Sequence, residues 1–351
     1  MSRSSWCAGK AWIFFAICVC AVRPASALTF NFTFTPESTQ ADIDGFNEAG
    51  AFWSSVFSDD ITLNMNVGTA ALSEGVLAEA GSSTATVNYS SFLTQITADS
   101  TTTTDTSALS SLSGGSSFDM LINRTSNNPN GSGSATAYLD NNGDANNSNI
   151  RLTTANARAL GYTFAPGVVD AGITFGKAFD FDYDASDGIT PEFYDFVGIA
   201  THEIGHALGF VSGVDILDGN SPGANGPFSD DQFVFVSPLD LFRYSAASAA
   251  VGVIDWTASS TDKYFSLDGG TTSLAGFSEG RTHGDGQQAS HWKDNLGIGI
   301  LDPTAATGEN LFASALDLIA LDAIGYDFVP EPSSGLLGLF GGLFLFRRRR
   351  K

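Results

Sequence analysis

Apolar positions along this chain recur in short periodic stretches. Over residues 41–57, Ile43, Phe46, Ala49, Phe52, Trp53 and Val56 fall at helical spacing, which predicts a helix with one buried face. Residues 61–67 (ITLNMNV) alternate strictly between apolar and polar, the pattern of a half-buried strand. Further strands are predicted over 85–89 and 168–175, and further helices around 92–98 and 153–160. Near the end, 264–267 predicts a strand running into the turn Asp268-Gly269-Gly270, and 314–324 predicts a closing core helix. Residues 28–40 read as a short extended lead-in with little room for a pro-domain. Much of the stretch 100–149, rich in Thr, Ser, Asn and Gly, reads as long surface loop. No internal repeat is present. Together these elements predict an α+β (mixed α/β) fold, with an N-terminal lobe of helices and a mixed sheet followed by a loop-rich C-terminal lobe.

The two ends stand apart from this pattern. Residues 1–27 combine Arg3 and Lys10, an apolar run over 11–22 and Ala25-Ser26-Ala27. That is the layout of an export signal cut after Ala27, and the run is too short to span a bilayer. All three cysteines, Cys7, Cys18 and Cys20, lie in it, so the mature chain is expected to hold no disulfide, thiolate ligand or cysteine nucleophile. Residues 329–351 run from Val329-Pro330-Glu331-Pro332 through an apolar stretch (335–346) to four arginines and Lys351. This order resembles the PEP-CTERM sorting signal of Gram-negative bacteria. The resemblance implies an exosortase-type sorting partner, transient anchoring in the membrane through the apolar stretch, and delivery to the cell surface or extracellular matrix. The basic tail would stay on the cytoplasmic side.

Charge narrows the partners. Three basic residues fall in the first 27 positions and five in the last five, so residues 28–330 keep 8 Lys+Arg against 37 Asp+Glu, a net of −29. So acidic a chain is a poor match for nucleic acid or anionic membrane. It is compatible with Ca2+, although neither acidic stretch fits an EF-hand: 140–149 (DNNGDANNSN) has its glycine at the fourth position, and Ala185 stands where 180–188 would need one. Turns are expected at both.

The chemistry concentrates in 193–210, FYDFVGIATHEIGHALGF. Phe196, Val197, Ile199, Ala200, Ile204, Ala207 and Leu208 predict a buried helix, and Gly209 is its natural stop. His202 and His206, four apart, share one helix face and can ligate one tetrahedral Zn2+. Glu203 lies beside them as a base within reach of water at the metal. Only four histidines occur in the chain, and two occupy this H-E-x-x-H motif. The longer form H-E-x-x-H-x-x-G-x-x-H holds as far as Gly209, but Ser212 occupies its last position. The third ligand must come from elsewhere, with Asp215, His283 and His291 as candidates.

HEIGHALG (202–209), followed by Ser290-His291-Trp292-Lys293 and Ile300-Leu301-Asp302-Pro303, resembles the leishmanolysin-like metzincins. The resemblance covers about 193–210 and 290–303. It implies a zincin catalytic domain over 28–328, one catalytic Zn2+ on His202, His206 and His291, Glu203 as general base, Gly209 as the turn, and hydrolysis of protein or peptide substrates. Leu301 stands where that family places the methionine of its Met-turn, a side chain of similar volume. The absence of cysteine from the mature chain excludes a cysteine switch. Residues 168–175 are the expected sheet edge on which an extended peptide would pair. Two other classes of function are compatible with parts of the sequence: a metal-stabilised surface or matrix protein without activity, and a carbohydrate-binding module. The intact Glu203 speaks against the first, and the core-directed aromatics against the second.

Overall fold

The computed structural model describes residues 27–220 and 226–329. The export segment up to Ser26 and the sorting tail from Pro330 lie outside them. Among the described residues no helix is long and apolar enough to cross a membrane.

The fold is mixed α/β. Strand β1 (Thr29–Phe34) leads through helix α1 (Gln40–Val56) to β2 (Thr62–Ala70), which lies parallel to β1. The lead-in is therefore a sheet strand: Phe30, Phe32 and Phe34 line one side of it, and Phe32 and Phe34 meet Phe46 of α1. Helix α1 starts in a capping box, with the Thr39 hydroxyl accepting from Asp42 N–H and Asp42 accepting from Thr39 N–H. β3 (Ala78–Ser82) and β4 (Thr84–Asn88) follow, then α2 (Tyr89–Asp99) and α3 (Thr103–Ser111).

Much of the stretch 100–149 is loop, as expected, with short elements set between the loops. Besides α3 it contributes β5 (Met120–Ile122), β6 (Tyr138–Asp140) and the single turn α4 (Ala145–Ser148), joined to β7 (Asn149–Thr153). Phe118, Met120 and Ile122 bury apolar side chains, and polar ones are buried beside them. Asn123, Asn128, Asn146 and Asn147 are buried, and they bond backbone carbonyls and carboxylates of the segment itself.

Helix α5 (Thr154–Ala159) precedes β8 (Ala171–Gly176), which completes a four-stranded sheet in the order β1-β2-β8-β3. β2 pairs with β8 in parallel, and β3 pairs with it antiparallel. β8 is thus flanked on both sides and is not the edge expected from the sequence; the edges are β1 and β3, and β3 is the one beside β8. Leu63, Met65 and Val67 of β2 and Ala171, Ile173 and Phe175 of β8 share one buried core with α1 and with α6 (Phe196–Leu208). Phe196 of α6 packs on both Phe46 and Phe175.

Two short parallel strands, β9 (Phe181–Asp182) and β10 (Tyr194–Asp195), lead into α6. Beyond it come α7 (Val214–Asn220), β11 (Arg243–Tyr244), α8 (Ala246–Val251), β12 (Ile254–Asp255), β13 (Lys263–Phe265), β14 (Ala275–Phe277) and α9 (Ala315–Asp322). A second core, with Trp256 at its centre, joins this C-terminal half to α2, β5 and β7. Both ends of the described chain meet the end of α1: Leu28 N–H donates to Phe57 O, Val329 N–H donates to Val56 O, and Phe57 bridges to Phe328.

Near that junction Asp59, Asp99 and Asp322 gather beside Asp105 and Asp327. Burial, with their mutual repulsion, pushes each of the three from 3.8 up to about 7. A carboxyl whose folded pKa is raised binds its proton more tightly in the folded chain. Its cost to stability is absent below about pH 4 and grows as pH rises to about 7. Asp99→Asn is therefore expected to raise Tm at pH 8 by a few degrees and to do much less at pH 5. Parallel melts at the two pH values check this, and an equal effect at both would refute it.

Candidate metal centre

Helix α6 carries His202, Glu203 and His206, and its position is fixed at both ends. Asp195 caps the start, accepting from Gly198 N–H (2.8 Å) with one oxygen and from Leu311 N–H (3.0 Å) with the other. Gly209 ends it at φ +127°, a conformation a side chain would strain. Trp53 Nε1 donates to Thr201 O, and Tyr326 Oη donates to Leu208 O. Gly205 has no side chain because Leu301 lies against it: a Cβ there would sit 3.2 Å from both Leu301 methyls.

His291 reaches the helix from 85 residues further along the chain. Its strand-like segment is held by Trp292 N–H to Leu301 O (2.9 Å) and by Ser278 N–H to its own carbonyl (3.0 Å). The result is a cluster of three imidazoles able to hold a metal ion. The Nε2 atoms lie 3.0 Å apart (His202–His206), 3.1 Å (His206–His291) and 3.3 Å (His202–His291). Neither His283 nor Asp215 belongs to the cluster, and Ser212, at the last position of the longer motif, instead donates its hydroxyl to Asp240.

The opposite ring nitrogens decide what those short distances mean. His202 Nδ1 lies 2.7 Å from Ile300 O, and His206 Nδ1 lies 2.7 Å from Phe210 O. A carbonyl can only accept, so both rings carry their proton on Nδ1 and present a bare lone pair at Nε2. His291 Nδ1 faces Gln288 O at 3.4 Å. Two bare lone pairs 3.0 Å apart repel each other unless a cation lies between the rings. Three nitrogens bound tetrahedrally to a zinc ion at 2.0–2.1 Å would stand about 3.4 Å apart, close to the spacing seen. Burial first, and then the neighbouring imidazoles, keeps the rings neutral: His206 is pushed down to about 3, His291 well below its ordinary value, and His202 down by burial. Neutral imidazole is the form that ligates.

No protein-family model, curated protein or solved structure matches this chain. The site therefore has to be judged on its own chemistry.

Glu203, 6% exposed, is pushed up to about 8, chiefly by burial and then by the charge of Glu79 on β3. A divalent cation at the imidazoles acts in the opposite sense and favours its ionised form.

Two carboxylates, buried Asp317 and half-buried Asp215, hold the cluster together through contacts far apart in sequence. Asp317, at the third position of α9, accepts from Trp292 Nε1 (2.8 Å), Ile300 N–H (3.0 Å) and Leu301 N–H (3.2 Å). It thereby sets both the Ile300 carbonyl that orients His202 and the indole next to His291. The local pattern Ser314-x-x-Asp317 announces only a helix start, which it also is. Asp215 accepts from Ala289 N–H (2.7 Å), Ser290 N–H (3.1 Å) and the Ser290 hydroxyl, fixing the two residues before His291. Arg243, buried over the Phe277 ring, donates to Ser278 O and Ala289 O from the other side.

Proposed function

We propose that this chain is a zinc-dependent endopeptidase of the metzincin type. The observation that carries the reading is the convergence of three neutral imidazoles, two of them with bare Nε2 atoms, beside a buried glutamate that ligates nothing. A purely structural metal site has no use for that glutamate.

His202, His206 and His291 would hold the ion. When bound, Zn2+ supplies Lewis acidity, polarising a carbonyl and lowering the pKa of water to about 7. Glu203 accepts the proton of the attacking water at its carboxylate and returns it to the departing amine. Apolar neighbours on α6 exclude bulk water from the glutamate, which strengthens each of these interactions. The sequence patterns at the two ends extend the proposal to an exported enzyme sorted to the surface, with protein or peptide as substrate.

The edge strand β3 is where such a substrate would align. Helix α6 packs against β3, and Glu79 on that strand is near enough for its charge to act on Glu203. The bonds Gly176 N–H to Leu77 O and Ser83 N–H to Asp170 O fix the odd-numbered residues as those paired to β8. Ala78, Ala80 and Ser82 consequently turn their backbone groups away from the sheet. An extended peptide can add there as a further strand. Ala80→Pro removes one outward N–H and no inward bond, a change an edge strand tolerates. It is expected to lower kcat/KM about tenfold through KM, with metal content and Tm little changed. An unaltered KM would remove β3 from the reading.

The direct test is cleavage of an unfolded protein substrate by the purified, zinc-loaded chain, with and without a chelator. Chelator-sensitive cleavage supports the reading. A folded, zinc-loaded chain that cleaves nothing overturns it and favours the inactive surface-protein alternative.

A further inference from the structure

Seven buried side-chain nitrogen or oxygen atoms lack a hydrogen-bond partner among the described residues, and three of them fall in one short stretch: Asp144 Oδ1, Asn146 Oδ1 and Asn147 Oδ1. A buried polar atom that nothing meets destabilises the fold, so their concentration calls for a ligand. Asn146 and Asn147 are fully buried, and both amides are aimed at the same residue. Asn146 Nδ2 donates to Asp140 Oδ2 (2.8 Å), and Asn147 Nδ2 donates to Asp140 O (3.4 Å).

The surroundings are negative. Asp140 is 2% exposed and Asp230 3% exposed, with Asp230 Oδ2 accepting from Tyr138 Oη (3.0 Å) and Oδ1 from Asn127 Nδ2 (2.5 Å). Asp144 adds a third carboxylate, whose Oδ2 accepts from Asn142 Nδ2 (2.8 Å). No ion pair to any of the three occurs among the described residues. Asp140 is accordingly pushed up to about 6, foremost by burial, with the charges of Asp230 and Asp144 adding to it. The three carboxylates do not converge on their own as the imidazoles do. Amide oxygens are needed to complete the set.

Uncommitted amide and carboxylate oxygens around uncompensated negative charge are what a hard cation takes. Zn2+ favours nitrogen and sulfur, and Mg2+ demands a strict octahedron, whereas Ca2+ accepts six to eight oxygens in irregular geometry. A buried water could donate to two of the three oxygens, but it would leave the charge as it is. We propose that Asp140, Asp144, Asn146 and Asn147, with Asp230 facing them, form a Ca2+ site that fastens β6 and α4 to the 226–236 segment. The stretch that fails the EF-hand spacing would then bind calcium by a different arrangement of its oxygens. This site is separate from the imidazole cluster and does not depend on the hydrolytic reading.

The test uses the full chain carrying Glu203→Ala, so that it cannot digest itself, loaded with Zn2+ and freed of Ca2+. Tb3+ is titrated with excitation of the protein's aromatic residues, Tyr138 being the ring bonded to Asp230. Melts are then recorded with and without CaCl2. The expected result is one Tb3+ per chain, displaced by Ca2+ well before Mg2+, and a Tm that rises with Ca2+. Asp144→Asn, an isosteric change at a half-buried position, should weaken Ca2+ at least tenfold, and Asp140→Asn more. Asp184→Asn, in the other acidic loop, should change nothing. If Asp140→Asn does not fold, Asp144→Asn still carries the test. The proposal is overturned if the parent shows neither ion-dependent emission nor a Ca2+-dependent Tm, or if Asp144→Asn binds Ca2+ as tightly as the parent.

Discussion

Replacing Glu203 with Gln is expected to lower kcat on an unfolded protein substrate by about 10^2–10^4-fold, the range lost when a positioned general base is removed, while one zinc per chain is retained. The structure separates the two effects. Among the described residues no hydrogen bond holds the Glu203 carboxylate in place; burial and then the charge of Glu79 act on it. An amide of the same shape therefore removes the proton acceptor without breaking a contact of α6 or touching His202 and His206. The raised pKa also fixes the sign of the effect on folding. A buried glutamate that resists ionising costs stability above its unfolded pKa, so metal-free Glu203→Gln should melt at or slightly above the parent at pH 8. Metal analysis, kinetics and melts on the same sample check all three statements. A variant within tenfold of the parent in kcat would remove Glu203 from the mechanism.

The second large effect concerns the nitrogen that arrives from afar. His291→Ala is expected to weaken zinc binding by at least a thousandfold, because two imidazoles at one helix turn leave half of a tetrahedral shell unfilled. At a free zinc concentration a thousand times the parent's Kd, that loss forfeits about 4 kcal/mol of ligand-linked stability, or about 10 °C in Tm for a chain of this size. His283→Ala should change neither quantity, since the structure leaves His283 outside the cluster. Titration against a competing chelator, together with melts in buffered zinc, distinguishes these outcomes. Zinc lost from His283→Ala and kept by His291→Ala would mean that the site is assembled differently.

How much of this was legible in the sequence follows the range of the interactions involved. Helix α6, its paired histidines and its stop at Gly209 depend on neighbours within a few residues, and they stand where the spacing places them. The same is true of α1, β2 and α9, each of which shows its burial period along its own length. The three-histidine cluster is long-range: residues alone left Asp215, His283 and His291 open, and only folding brings one of them within 3.3 Å of the pair. Asp215 and Asp317 act through backbone N–H groups 74 and 16–17 residues away, and no local pattern records such a partnership. Much of the 100–149 stretch is loop, as its composition indicates, but its buried amides and carboxylates look like surface when only hydrophobicity is counted. The edge strand was misplaced for a related reason. β8 has the apolar alternation of a strand but pairs on both sides, whereas the edge beside it, Ala78-Glu79-Ala80-Gly81-Ser82, has almost no apolar side chains to reveal it.

The bonds from Asp317 to Trp292, Ile300 and Leu301 also set a timetable for the molecule. A chain emerging N-terminus first presents His202 and His206 long before the carboxylate that sets Ile300 and Trp292 has appeared. The imidazole cluster is therefore completed only when the final helix joins, some 115 residues after the first of its histidines. On the proposed reading, a growing chain would stay inactive until that helix docks.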